Sequence, residues 1–268
     1  MISIICPCFN SNSTINEVVD SIISQVGTRY TFEIIFIDDG STDNTVSLIK
    51  SGMKKLTSKG IISRIYLSSH KGPGAARNIG IKKSQYDYIA FIDSDDIWYK
   101  NKLSICQDLI SSHPSNNIFI HDEKYVRNNK NASRIINGTF KQPLYSSLYI
   151  SNCLSTSAVI LKKELLIKYG GFDEQLMSSQ DYDLWLRLAP YLIPYKIDKV
   201  LGEYRESTNS ITAKFYLYRV FDQLKIAYKY KNYVSYLQFC SKIIKIIFSK
   251  QWIYGIKNII LRRKSHNY

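Results

Sequence analysis

Two apolar segments of the chain each end in a group of carboxylates. The segment 32–37 is followed by Asp38-Asp39, and the segment 88–92 is followed by the sequence DSDD at 93–96. Near-continuous apolar runs are typical of strands that are buried on both faces of a parallel sheet. In open α/β sheets, ligands bind beyond the carboxyl ends of such strands. The two acidic groups are therefore the first candidates for a functional site.

The acidic group at 93–96 has the oxygen donors that hard cations prefer. Alternate residues of an extended chain point to the same side, so Asp93 and Asp95 can act together. Such a pair can hold Mg²⁺ or Mn²⁺ and leave the other coordination positions to water and substrate phosphates. From the residues alone, a solvated turn that caps the next helix is the alternative.

Three other charged residues are candidates for binding or catalysis. Asp39 can accept hydrogen bonds from a base or a ribose, or it can cap the helix that follows it. Arg77 lies early in a helix, where the helix dipole disfavours a cation unless a diphosphate or nearby acids offset it. Asp181 begins another helix and is a candidate general base, with a capping or paired surface acid as the alternative.

The elements that must position these residues alternate between strands and helices. Strand-like segments occur at 3–8, 32–37, 61–67 and 88–92, and apolar residues at helical spacing lie between them. This alternation predicts an α/β fold with a mostly parallel sheet, right-handed crossovers and flanking helices. We place one domain at 1–212 and a helical, basic region at 213–268.

The composition of the 268 residues favours a folded protein. Aromatic residues make up 13% and charged residues 22%, which argues against disorder. Five scattered cysteines without CxxC spacing argue against a disulfide framework and against a zinc site. The first residues lack the pattern of a signal peptide, so we expect a cytoplasmic protein.

Positive charge is concentrated towards the C-terminus. Residues 214–268 contain 12 lysines or arginines and one acid, Asp222, so they carry +11 of the net charge of +14. Apolar residues at helical spacing predict amphipathic helices at 233–247 and 252–264, and lysines interrupt every run that could span a membrane. Such helices favour a peripheral contact with an anionic membrane, or plain packing on the domain. Clustered basic residues also attract nucleic acids, although the apolar stripes favour the membrane.

Taken in order, the motifs resemble glycosyltransferase family 2, a group of inverting, nucleotide-sugar-dependent enzymes with the GT-A fold. The resemblance covers residues 1–212 and is carried by six segments. These segments are PCFN at 7–10, IDDGSTDNT at 37–45, GAARNIG at 74–80, FIDSDD at 91–96, GGFDE at 170–174 and QDYDLWLR at 180–187.

The resemblance implies a role for individual residues of these segments. The residues implied to bind the nucleotide sugar are Pro7, Asn10, Asp39, Arg77, Asp93 and Ser94, with Asp39 recognising the base. The residues implied to hold Mn²⁺ or Mg²⁺ are Asp93, Asp95 and Asp96. Asp181 matches the catalytic base of the family.

The chain departs from the family pattern at three places. Gln180 precedes the base, where the family normally has Glu, and Ser207 stands where related loops often have a metal-contacting His. The QxxRW signature of processive synthases is missing, which favours transfer of a single sugar.

The resemblance implies an inverting glycosyltransferase that moves one sugar from a nucleoside diphosphate sugar, with UDP favoured, to a hydroxyl of a glycan or a lipid-linked saccharide. Biosynthesis of a bacterial surface polysaccharide, such as capsule or O-antigen, is the expected setting. We expect a peripheral position on the inner face of the cytoplasmic membrane and no nucleic acid partner. The alternative is a catalytically inactive, basic adaptor that binds membrane or nucleic acid.

Overall fold

The computed structural model describes residues 1–25, 27, 31–127, 130–136, 144–206 and 216–249. Its strands are β1 Ile2–Cys8, β2 Phe32–Asp38, β3 Ile62–Leu67, β4 Tyr88–Phe91, β5 Ile97–Trp98, β6 Ile118–Arg127, β7 Lys130–Ile136, β8 Val159–Lys162 and β9 Pro194–Glu206. Its helices are α1 Ile15–Ile23, α2 Thr45–Ser58, α3 Pro73–Lys83, α4 Lys102–Ser112, α5 Leu144–Ile150, α6 Lys163–Lys168, α7 Gln180–Leu188, α8 Tyr216–Lys229 and α9 Tyr236–Ile247.

The strands form one sheet in the order β3-β2-β1-β4-β8-β6-β9-β5, with β7 paired to β6. The first four strands of this order are parallel, as the alternation of strands and helices predicts. Strand β8 joins β4 in antiparallel fashion, and the half of the sheet beyond it mixes both directions. The predicted α/β class is confirmed, and the parallel part is the N-terminal half.

Strands β1, β2 and β4 of the parallel half are buried on both faces, which explains their largely apolar sequences, whereas β3 at the edge is partly exposed. All seven residues of β1 are buried. Ile4 packs into a core with helix α1, whereas Ile5 points the opposite way into a second core that includes α6 and α7. The register sets Cys8 opposite Asp38, and Asp38 opposite Leu67, so the loops after these strands leave from one edge.

Helix α3 lies very close to β1, and a glycine makes this approach possible. A Cβ atom added at Gly80 would lie 2.4 Å from Cγ2 of Ile5, closer than any real packing contact. The approach fixes the position of α3 against the sheet. It therefore also fixes Arg77, one turn earlier on the same helix.

Helix α8 belongs to the core that also contains α6 and α7. Val220, Ile226 and Ala227 are buried in one apolar cluster with Trp185 of α7. The domain boundary at 212/213 stays a prediction, but the packing ties α8 firmly to the sheet-bearing part of the chain.

Helix α9 is amphipathic, yet it presents an apolar face outward. Leu237, Ile244 and Phe248 are 79%, 56% and 75% exposed. Lys242 of this helix is buried, and its Nζ lies 4.4 Å from the centre of the Tyr182 ring. Burial and Lys245 lower the pKa of Lys242 to about 8. The predicted amphipathic helix is therefore present, with part of its apolar surface exposed.

Within the described residues, no helix combines the length and the apolar character needed to cross a bilayer. The second predicted amphipathic segment, 252–264, lies outside those residues.

Candidate active site

The loops that follow β1 and β2 are joined by hydrogen bonds at the carboxyl edge of the sheet. Asn10 has a left-handed backbone, with φ of 49°, and its N–H donates to Ser41 Oγ at 2.9 Å. The Asn10 Oδ1 accepts a hydrogen bond from the N–H of Thr42, also at 2.9 Å. Pro7 is buried within β1 opposite Ile37.

Asp39 lies buried at the end of β2 and organises the segment 70–72. Its two carboxylate oxygens accept hydrogen bonds from the N–H groups of Lys71, at 2.9 Å, and Gly72, at 2.8 Å. The ring of His70 lies 2.9 Å from the same carboxylate and stacks on the ring of Phe9, with centroids 4.0 Å apart. A partly exposed aromatic pair beside a hydrogen-bond acceptor is suited to a flat heterocycle, because stacking and polar readout combine there.

Arg77 and Asp93 form an ion pair that joins α3 to the loop after β4. The Nη2 of Arg77 lies 2.5 Å from Oδ1 of Asp93. The guanidinium is nearly buried and lies 5.3 Å from the centre of the Phe172 ring. An acid that can offset a cation early in this helix is therefore present.

Ser94 fixes the loop from the other side. Its Oγ lies 2.7 Å from Oγ of Ser11, and its carbonyl accepts a hydrogen bond from Oγ1 of Thr14 at 2.6 Å. Because Ser11 and Thr14 lie between β1 and α1, the two sequence motifs meet in space. The loop 93–96 is held in place by contacts on both flanks.

The neighbouring acids of this loop have raised pKa values. Burial, together with the charge of Asp93, raises the pKa of Asp95 to about 6. Burial raises the pKa of Asp96 well above its ordinary value. A cation placed between these two carboxyls and solvent would stabilise their ionised forms, since a nearby opposite charge favours ionisation.

Asp96 is directed inward and is satisfied by protein groups. It is 1% exposed, and it accepts hydrogen bonds from Oγ of Ser157, at 2.5 Å, and from the N–H of Arg205, at 2.9 Å. This arrangement favours a structural role for Asp96, with Asp93 and Asp95 as the more accessible pair.

Asp181 lies in the first turn of α7 and is half-buried. The Nδ2 of Asn152 donates a hydrogen bond to its Oδ2 at 2.8 Å. Gln180 is turned inward, and its Nε2 donates to the carbonyl of Leu176 at 2.8 Å. The side-chain amide of Gln180, which stands where the family usually has a carboxylate, thus donates a hydrogen bond within the protein.

The segment 152–157 connects Asp181 with the acidic loop. Asn152 contacts Asp181 at one end of the segment, and at the other end Ser157 Oγ accepts from the N–H of Asp93 at 3.1 Å. A second connection runs through α3, because a Cβ added at Gly74 would lie 3.3 Å from Cγ of Gln180. The predicted base and the predicted donor-binding acids therefore border one region.

A divalent cation is compatible with the donors of this loop. Within the described part of the chain, no cluster of three or more His, Cys, Asp or Glu side chains is arranged to hold a metal ion. Mg²⁺ and Mn²⁺ are often held by one or two carboxylates plus substrate phosphates, and Asp93 with Asp95 supplies such a pair. The residues present fit a cation that arrives with a diphosphate.

Sequence reasoning missed the residues that support the acidic loop. Ser157 and Lys102 are buried, and Lys102 donates from Nζ to the carbonyl of Ser157 at 2.7 Å. Burial lowers the pKa of Lys102 to about 7. A lysine within the apolar pattern of α4 was the one available signal, whereas nothing marked Ser157 or Asn152 as partners of distant acids.

Comparison with known proteins finds a matching family model and related sequences. The family model described as glycosyl transferase family 2 matches residues 3–170. A glycosyltransferase of unassigned activity from Rickettsia felis is 34% identical over 213 residues, which are 79% of this chain and 34% of that protein. The chain thus spans about a third of the length of the first curated relatives that it matches.

A relative of assigned activity aligns over most of its own length. The E. coli enzyme WfgD, a UDP-Glc:alpha-D-GlcNAc-diphosphoundecaprenol beta-1,3-glucosyltransferase, is 31% identical over 224 residues, or 80% of each chain.

Solved structures show the same fold. S. aureus TarS 1–349 in complex with UDP-GlcNAc superposes with a TM-score of 0.69 at 21% identity, over 97% of this chain and 80% of TarS 1–349. Mannosyltransferase PcManGT from Pyrobaculum calidifontis, in complex with GDP-Man and Mn²⁺, gives 0.68 at 14% identity, over 99% of this chain and 75% of that one.

The chain belongs to glycosyltransferase family 2 and has the GT-A fold of that family. The resemblance that its motifs indicated is confirmed. The roles given to the individual residues stay predictions, and Ser207 lies outside the described residues.

Proposed function

We propose that the protein is an inverting glycosyltransferase that moves one sugar from a UDP-sugar to a hydroxyl of a lipid-linked saccharide during assembly of a bacterial surface polysaccharide. The observation that carries this proposal is the segment 152–157, which touches both Asp181 and the loop 93–96. A base and an acidic, phosphate-side site next to each other are the two parts that direct displacement of a diphosphate requires.

In this proposal the donor lies across the loops after β1, β2 and β4. The nucleobase of the donor packs at the Phe9–His70 pair beside Asp39, and the ribose and the diphosphate extend towards Asp93 and Ser94. Arg77 holds Asp93 in place through their ion pair. A divalent cation at Asp93 and Asp95 would neutralise the negative charge that develops on the leaving diphosphate.

Asp181 acts as the general base. It removes the proton from the acceptor hydroxyl, and the oxygen attacks the anomeric carbon from the face opposite the diphosphate. The bond from that carbon to the diphosphate oxygen breaks, and its electron pair leaves with the nucleoside diphosphate. One displacement of this kind inverts the anomeric configuration.

The choice of UDP and of a lipid-linked acceptor draws support from the relatives. The WfgD name specifies a UDP-sugar donor and a diphosphoundecaprenol acceptor, and structures of TarS contain UDP and UDP-GlcNAc. A peripheral position on the inner face of the membrane follows from such an acceptor. The outward apolar face of α9 and the basic C-terminal sequence support it.

A thermal-shift screen tests the donor part of the proposal. Ligands that bind only the folded state raise the melting temperature by mass action. We expect UDP to raise the midpoint in the presence of Mn²⁺ or Mg²⁺, and less in EDTA, with smaller effects of GDP, dTDP and CMP. A chain that responds to none of the four nucleotides would contradict the proposal and favour an inactive adaptor.

A further inference from the structure

Helix α8 contacts the N-terminal end of α7 through two residues, which lie about two helical turns apart on α8. At the first point, Oδ2 of Asp222 accepts hydrogen bonds from the N–H of Ser178, at 2.8 Å, and from its Oγ, at 3.1 Å. At the second point, Nζ of Lys229 lies 2.7 Å from Oδ1 of Asp183. These contacts bracket Asp181, which lies between Ser178 and Asp183 in sequence.

Both acidic partners in these contacts are buried. Asp222 is 3% exposed, and Asp183 is fully buried. Asp183 is also bonded to Nη2 of Arg187, at 3.0 Å, and to the hydroxyl of Tyr230, at 3.0 Å. Buried charges are retained at low cost only when they are fully paired, so these contacts define one arrangement of the two helices.

The backbone between the two contacts needs such support. Ser179 precedes α7 with φ of 57°, in the left-handed region that residues with a Cβ rarely adopt. Conformations of this kind persist where the surroundings determine them strongly, and they are common beside functional groups. The bonds from Ser178 to Asp222 hold the chain on one side of this turn.

We infer that Asp222 and Lys229 are positioning residues for Asp181, and that α8 is a working part of the catalytic domain. The inference rests on the proposed role of Asp181 as the base. In this arrangement, α8 sets the angle and depth at which the Asp181 carboxylate meets the acceptor hydroxyl. The donor-side residues lie on other elements, so α8 affects the chemical step more than donor binding.

The test measures steady-state release of UDP from UDP-glucose, UDP-galactose and UDP-GlcNAc by the full-length protein. Each donor is assayed with a synthetic α-GlcNAc-diphosphate lipid and also with water as the acceptor. For Asp222→Ala we expect kcat to fall about tenfold or more, because small misplacements of catalytic groups are costly, while KM for the donor changes less than about twofold.

The conservative variant separates positioning from simple loss of structure. In Asp222→Asn, the amide oxygen can accept the same two bonds from Ser178, so we expect kcat to return to within about threefold of the native value. Tyr228→Ala is the matched control, because it truncates a side chain of the same helix that is 64% exposed. It should leave kcat unchanged.

A second variant and a second measurement cover a failure of Asp222→Ala to fold. Lys229→Met keeps the aliphatic stem and removes the contact with Asp183, and it should also lower kcat at constant donor KM. Hydrogen exchange should be faster at amides 178–183 in both variants and unchanged at 39–45. Native kcat in both variants, a loss confined to KM, or an equal loss in Tyr228→Ala would overturn the inference.

Asp181→Asn in the same assay separates this inference from the proposed function. Native turnover of Asp181→Asn would contradict the proposed function itself. An inactive Asp181→Asn together with a fully active Asp222→Ala would leave the proposed function standing and reject only the role of α8.

Discussion

Ser157 supports two acids of the acidic loop at once. Its hydroxyl donates to Asp96 at 2.5 Å and accepts from the N–H of Asp93 at 3.1 Å. Behind it, the buried Lys102 holds the carbonyl of the same residue and lies 3.6 Å from the centre of the Trp98 ring. One small side chain thus determines where two of the acids in this loop lie.

Replacing Ser157 should destabilise the protein more than its size suggests. In Ser157→Ala, an oxygen of the buried Asp96 loses its donor, and we expect the free energy of unfolding to fall by about 1–3 kcal/mol. Urea denaturation measures this loss. Ser104→Ala is the control, because the Ser104 hydroxyl bonds only to the carbonyl of Asn101 on the surface. Equal stability of the two variants would show that the contact with Asp96 is unimportant.

Gln180 provides a prediction with a defined pH dependence. In Gln180→Glu, a buried carboxylate would face the carbonyl of Leu176 and lose the present donor, so the unfolding free energy should fall by about 1–3 kcal/mol at neutral pH. Burial would raise the folded-state pKa of this new acid above its unfolded value of about 4.3. A group of this kind binds more protons when folded, so the deficit should shrink as the pH falls through the raised pKa.

Urea denaturation of Gln180→Glu and the native protein between pH 5 and 8 measures that difference. A deficit that grows towards low pH would contradict the inward position of Gln180.

At the scale of elements, the close approach of α3 to β1 sets the depth of Arg77. In Gly80→Ala, the added methyl group would overlap Ile5, so we expect a loss of about 1–3 kcal/mol in unfolding free energy and weaker binding of UDP. Gly60→Ala is the comparison, because Gly60 has φ of 75° and an added Cβ there meets nothing within 4 Å. That variant should lose stability and keep UDP affinity. Unchanged UDP affinity in Gly80→Ala would show that the position of α3 does not affect donor binding.

Local sequence patterns predicted the elements of the parallel half well. The strands near 3–8, 32–37, 61–67 and 88–92 are present. Three of them are largely apolar and buried, whereas β3, at the edge of the sheet, is partly exposed. The helix that was predicted to begin at Asp181 is present as α7, Gln180–Leu188. The spacing of apolar residues is enough to predict a helix or a strand that has one or two apolar faces.

Partners that are distant in sequence could not be predicted in the same way. The pairing of β4 with β8 joins residues about 70 positions apart, and no local pattern specifies it. The same holds for Asn152 with Asp181 and for Asp222 with Ser178. In α9, periodicity predicted the helix. It could not show that Lys242 would be buried against Tyr182 and that Leu237 would be exposed.

At the scale of the whole molecule, the outward face of α9 and the basic C-terminal sequence lie together at one end of the chain. Removing everything after residue 212 would also remove Val220, Ile226 and Ala227 from the core. Substitutions on the surface of α9 are therefore the better test of membrane binding.

The triple variant Leu237→Ser, Ile244→Ser, Phe248→Ser should bind anionic membranes less strongly. We expect the native protein to float with phosphatidylglycerol vesicles and not with pure phosphatidylcholine, because apolar burial adds to roughly 1 kcal/mol for each basic residue near the surface. The double variant Ile167→Ser, Ile193→Ser, at exposed positions elsewhere, should float like the native protein. Equal flotation of all three proteins would exclude α9 as the contact.

The most direct test of the central claim is transfer of radiolabel by the native protein and by Asp181→Asn. Each protein is incubated with Mn²⁺, the ¹⁴C-labelled UDP-sugar that gives the highest turnover, and lipid-linked α-GlcNAc-diphosphate, and butanol-extractable label is counted. Asp198→Asn serves as the control, because its side chain is 90% exposed. We predict that the native protein and Asp198→Asn transfer label, and that Asp181→Asn loses at least about a hundredfold in rate while it still binds UDP. Transfer by Asp181→Asn at the native rate would contradict the account.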